Sequence, residues 1–128
     1  MPAAVAFGNV RVLMTEGTRA RDKRGVLRIG NGEVVLADGG STTLLTPIAA
    51  LKGIFLSRSR QPRWLDENGR TVVSRVDLGP LGFFRGDRNW FVLITGGDPV
   101  ILSVEDPLLQ SVIVAFQART GLAVRRVQ

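Results

Sequence analysis

The strongest constraint on this chain lies near its end, where Asp106-Pro107 opens and Gly121 closes a segment with helical periodicity. Asp is a favoured N-cap because its carboxylate accepts hydrogen bonds from the free N–H groups of the first turn. Pro at the first helical position gives up only an N–H that would go unpaired anyway. Arg119 suits the negative end of the helix dipole, and Gly121 suits the left-handed residue that commonly ends a helix. Leu109, Val112, Ile113 and Phe116 fall at i, i+3, i+4 and i+7, one apolar stripe. Burying such side chains is worth on the order of 1.5–3 kcal/mol each before entropy is counted. The helix is therefore held by what it covers rather than by propensity, and the stripe calls for a sheet beneath it.

The residues before the helix supply that sheet. Val10 to Met14 reads as a first strand, and Thr15 to Arg24, charged and without apolar periodicity, as an exposed loop. Val26-Leu27-Arg28-Ile29 and Glu33 to Ala37 flank Gly30-Asn31-Gly32, residues that tolerate the positive φ of a tight hairpin. Asp38 to Ser41 turns the chain into a strand over Thr42–Thr46, which Pro47 ends because it cannot donate to a ladder. Ile48 to Leu51 reads as an irregular turn and Gly53 to Ser57 as extended structure. Gln61 to Arg70 reads as a loop and Thr71 to Val76 as a strand. Gly79, Pro80, Gly82 and Gly86 make the next stretch a loop carrying Leu81, Phe83 and Phe84. Trp90–Thr95 and Val100–Val104, joined by Gly96-Gly97-Asp98-Pro99, are antiparallel neighbours. In the second, Val100, Leu102 and Val104 share one face while Ser103 and Glu105 point away, the pattern of a half-buried strand. Leu122 to Val124 either adds a short last strand or packs back.

Composition narrows the chemistry. A chain of 128 residues fits one domain, here residues 1–128 with a core over about 10–120. It has no Cys and no His, so disulfides, thiolate chemistry, the commonest metal ligand and the commonest general base are all missing. Asp66-Glu67 and Glu105-Asp106 are the adjacent acid pairs, the first suited to a polar turn and the second to the helix cap. The Gly-rich stretches match no phosphate-binding spacing, and no Ser-x-x-Lys or calcium-loop pattern occurs. No enzyme, cofactor or metal is expected. The first nine residues lack the charge and the apolar length of a secretory signal. No run approaches the roughly 20 apolar residues of a bilayer span. The expectation is a cytoplasmic chain that reaches at most a membrane surface.

The net charge of +6 points to acidic partners, although 15 of the 17 basic residues are Arg in a chain also rich in Gly, Ala and Val, a bias that coding composition alone produces. Two clusters are the candidate binding residues: Arg19, Arg21, Lys23 and Arg24, and Arg58, Arg60 and Arg63 beside Trp64, whose ring is suited to stacking on a base or entering a membrane interface. Arg58 and Arg60 alternate and would share a strand face. The plainer reading makes Trp64 a lid on the core and pairs these arginines with Asp66 and Glu67.

About seven short strands followed by one helix, with the Gly25–Ala37 hairpin early and Trp90–Thr95 and Pro99–Val104 leading into Glu105-Asp106-Pro107, resembles the pleckstrin-homology (PH)-like domain of bacterial type. The resemblance spans roughly residues 10–120 and implies a mainly β fold, a small antiparallel barrel or sandwich capped by the helix. PH domains that bind phosphoinositides carry several basic residues on the first hairpin, whereas Arg28 stands alone beside Gly30-Asn31-Gly32, and the helix lacks the Trp of eukaryotic members. The resemblance therefore implies a scaffold. The expected function is a non-catalytic interaction module for a protein partner or an anionic membrane surface, with self-association across an unpaired sheet edge as a further expectation. The alternative is a nucleic-acid-binding barrel that uses the arginine-rich loops.

Overall fold

Alternating apolar and polar residues in the first half of the chain produce a run of antiparallel hairpins. The computed structural model describes residues 5–16, 19–74 and 87–127, with the backbone alone at 14–16 and 19–22. The first four strands are β1 (Val5–Glu16), β2 (Arg19–Gly30), β3 (Glu33–Asp38) and β4 (Ser41–Pro47). A 3₁₀ turn at Ile48–Ala50 leads to β5 (Gly53–Ser59). Then come β6 (Arg63–Leu65), β7 (Thr71–Val73), β8 (Arg88–Ile94), β9 (Val100–Val104), helix α1 (Asp106–Thr120) and β10 (Val124–Val127).

Eight strands form one sheet in the order β10-β5-β8-β9-β1-β2-β3-β4, and β6 and β7 form a separate hairpin. The large sheet is mixed, because β10 runs parallel to β5 while its other neighbours are antiparallel. Its end strands, β10 and β4, do not pair with one another, so among the described residues no closed barrel is found. The fold is mainly β with one C-terminal helix.

The β2–β3 hairpin forms as its turn residues require: Asn31 and Gly32 take φ values of 53° and 78°, the positive pair that a two-residue loop needs. Gly25 serves a different need. A Cβ at this position would lie 2.6 Å from the Ala37 carbonyl oxygen, so only glycine lets β2 and β3 approach so closely. In β1 the register passes from Phe7↔Leu27 to Val10↔Gly25, which leaves Gly8 and Asn9 opposite Val26, a bulge with Asn9 at φ 57°.

Both faces of the sheet's centre are buried. The inner face holds Leu27, Ile29, Val34, Leu36, Ile54, Leu56, Phe91, Leu93 and Leu102, and α1 adds Val112, Ile113, Ala115 and Phe116. The rings of Phe91 and Phe116 sit 5.3 Å apart at 41°. A second cluster, Leu13, Phe55, Trp90, Val92, Ile101 and Val127, lies on the opposite face, with Trp64 and Leu65 of the β6–β7 hairpin packed against it. The expectation of a half-buried Val100–Val104 strand is corrected on this point. Ile101 faces away from Leu102 yet is buried as well, because the second cluster shelters it.

Other expectations need correction. Thr15–Arg24 is not a loop: Thr15 and Glu16 end β1, and Arg19–Arg24 begin β2, paired Met14↔Arg21, Thr15↔Ala20 and Glu16↔Arg19. Backbone pairing across a long hairpin needs no apolar alternation, so the charge pattern hid it. Gln61–Arg70 contains β6, and the strand expected over Thr71–Val76 is described over Thr71–Val73. The expected loop with Leu81, Phe83 and Phe84 lies outside the described residues. The N-cap is Glu105, one residue before the expected Asp106, and no side chain caps it. Gly121 ends the helix as expected, at φ 74° with its N–H donated to the Gln117 carbonyl. Leu109 is only half buried. The last strand begins at Val124, on the parallel side of β5.

Candidate functional site

Asp106 has a different task from capping. Antiparallel register places Arg58 of β5 opposite Asn89 of β8, and Asn89 opposite Val104 of β9, so the three lie in one row that ends beneath the start of α1. Asn89 is buried, and both ends of its amide are used. Its Nδ2 donates to the Val104 carbonyl at 3.0 Å and to Asp106 Oδ1 at 2.7 Å, and its Oδ1 accepts from Arg58 Nη1 at 3.0 Å. Arg58 Nη1 also donates to Asp106 Oδ1 at 2.6 Å, with Nη2 at 3.5 Å from Oδ2. The row is a staple that ties β5, β8 and β9 to the first turn of the helix. An anion at that end of a helix is also favoured by the helix dipole.

The hydrogen bond from Arg58, aided by the one from Asn89, holds the Asp106 carboxyl below its ordinary pKa, and the same bond to Asp106 raises that of Arg58. Such a carboxylate stays charged at neutral pH, which suits an ion pair rather than proton transfer. The surrounding cleft of about 550 Å³ is lined by Arg11, Arg58 and Arg88 against Asp87, Glu105 and Asp106. Among the described lining residues the charges balance, three of each sign. Among the described residues no group of three or more His, Cys, Asp or Glu is placed to hold a metal. No helix of the described residues is long and apolar enough to cross a membrane.

The second arginine cluster is divided by the sheet. Arg58 lies on the inner face with Asn89. Arg63 belongs to the hairpin over the outer face, where its backbone N–H donates to Ser57 Oγ at 3.2 Å. Arg60 is exposed beyond the end of β5, so the expected Arg58–Arg60 strand face does not exist. Trp64 is half buried against the outer cluster and acts as its lid. The expected pairing of these arginines with Asp66 and Glu67 is corrected for Arg58, whose partner is Asp106. Asp66 Oδ1 instead accepts from the backbone N–H groups of Asn68 and Arg70, both at 2.9 Å, and so forms the β6–β7 turn. Of the first cluster, Arg19 and Arg21 lie on β2, where only the backbone is described. Lys23 and Arg24 are exposed and line a shallow cleft beside the β1 bulge that also includes Asp38.

The sheet edges differ in chemistry. At β10, Arg125 lies 5.3 Å over the Phe55 ring and Arg126 is exposed. At β4, among the described residues, β3 is the only strand partner, and Ser41, Thr42, Leu45 and Pro47 are exposed, Leu45 by 52%. Leu45 pairs with Val35, and Val35 with Arg28, so these three with Val26 and Ala37 form an outward, partly apolar face next to this edge. Reasoning from motifs missed this surface, although a signal was present: no charged residue stands between Asp38 and Lys52. Compared with known proteins, the chain matches no family model and no curated protein.

Proposed function

We propose that this protein is a non-catalytic interaction module with a PH-like fold, and that it binds a protein partner by adding a strand to β4. The connectivity supports the fold: β1 to β4 form one antiparallel meander, β5, β8 and β9 a second, β9 joins β1, and the helix that follows β9 covers the shared core. In this reading β6–β7 is a hairpin inserted in the second meander, and the open seam lies beyond β4. The observation that carries the binding reading is the edge itself. An unpaired strand offers a row of free N–H and C=O groups, and proteins ordinarily guard such rows with charges or proline. β4 has no charge, and its one proline stands at the end, Pro47.

Commitment of Arg58 to Asp106, and the separation of Arg58 from Arg63, favour this reading over nucleic acid or an anionic membrane. The test is a photo-crosslinking residue at Thr42, used in the native cell. The expected result is a protein adduct that Leu45→Lys removes. Adducts unchanged by Leu45→Lys, or adducts to RNA or lipid in place of protein, would overturn the reading.

A further inference from the structure

We infer that the strand added to β4 is β4 of a second copy, so that two chains form a symmetric, weak dimer through one continuous sheet. The inference rests on the reading of β4 as the binding edge and names its occupant.

Charge decides between the two edges. In a chain of net charge +6, most surfaces of two copies repel one another. Joining copies at β10 would bring Arg125 and Arg126 of each together. Joining them at β4 brings only Ser, Thr, Leu and Pro into contact. The nearest acids on the neighbouring strand are Glu33 and Asp38, which lie beside Pro47 and Ser41 at opposite ends of β4. With strands about 4.8 Å apart, β3 of one copy and β3 of the other are about 14 Å apart. That distance exceeds the Debye length of about 8 Å at physiological salt, so these acids do not oppose the pairing.

Symmetry fits as well. A two-fold axis perpendicular to the sheet makes the strands antiparallel and keeps each face on its own side, so one patch meets itself. The Leu45 side chains of the two copies then lie on the same outward face, on either side of the axis. There they shield apolar surface that the monomer leaves 52% exposed. The seven residues of β4 fall well short of the roughly 20–30 residues per side of a standard stable interface. The dimer is accordingly transient and depends on concentration.

Sedimentation velocity of the purified chain, from low micromolar to near-millimolar concentration, tests this together with amide exchange. The expected result is a shift from monomer to dimer with rising concentration, slower exchange over residues 42–46 in the concentrated sample, loss of both in Leu45→Lys, and retention of both in Arg126→Ala. A monomer at every concentration overturns the inference, as does a dimer insensitive to Leu45→Lys. If the chain stays monomeric while the Thr42 crosslink in cells captures a different protein that Leu45→Lys releases, the second copy is the wrong occupant and the β4 reading stands. If neither is seen, both fail.

Discussion

Arg58 shows how a residue suited to binding is committed to structure. Its guanidinium and the Asp106 carboxylate are exposed by 57% and 65%, so solvent screens the pair, and its weight lies in geometry shared with the buried Asn89. Because the folded pKa of Asp106 is depressed, its contribution to stability is present above the unfolded value and is lost as pH falls through the folded one. Asp106→Asn should therefore lower the melting temperature at neutral pH, and the gap to the parent chain should close as pH drops below the ordinary Asp value of 3.8. Melting curves across that range read the difference directly, and a gap that stays constant with pH would contradict the assignment. Gly25 acts through space rather than charge. Gly25→Ala places a Cβ against the Ala37 carbonyl oxygen, 2.6 Å away in the present backbone. Overpacking of this kind typically costs about 1–3 kcal/mol, which denaturant titration resolves.

At the scale of elements, β6–β7 is the least self-sufficient part of the fold. Each strand has three residues, too few to persist as an isolated hairpin in water. What holds it is the contact of Trp64 and Leu65 with the outer cluster and the hydrogen bonds that Ser57 and Ser59 make at its root. Trp64→Ala should cost about 1–3 kcal/mol, less than the roughly 3–5 kcal/mol of a fully buried aromatic. Amide exchange should accelerate over residues 63–73 while β8 and β9 remain protected. Uniform acceleration across the large sheet would mean that the hairpin and sheet unfold together. Helix α1 rests on the other face through Val112, Ile113 and Phe116, so hairpin and helix are anchored independently.

For the molecule as a whole, a net charge of +6 gives some attraction to any polyanion at low salt. If that attraction is only diffuse, oligonucleotide binding should fall steeply as salt rises, and Arg58→Ala should weaken it no more than Arg70→Ala does. Fluorescence anisotropy at two salt concentrations separates the cases. A selective loss with Arg58→Ala would restore a specific site that the ion pair with Asp106 argues against.

Much of the architecture was legible because it is written in local chemistry. Asn31-Gly32 announces a hairpin through φ, Pro107 and Gly121 bound the helix through backbone geometry, and Val112, Ile113 and Phe116 show its buried side through periodicity. The charged β1–β2 extension and the hairpin strand at Arg63–Leu65 were illegible for the complementary reason. Their pairing depends on which backbone lies alongside, and no residue pattern reports that. The candidate sites divide in the same way. The sequence by itself determined an Arg-rich chain without His or Cys, a helix over a sheet, and an uncharged stretch from Gly39 to Leu51. Only the tertiary structure decided that Arg58 meets Asp106, 48 residues away, that Arg58 and Arg63 serve opposite faces, and that among the described residues β4 ends the large sheet with β3 as its one strand partner. Each of these is a contact, or the lack of one, between segments distant in the chain, and the fold as a whole selects it.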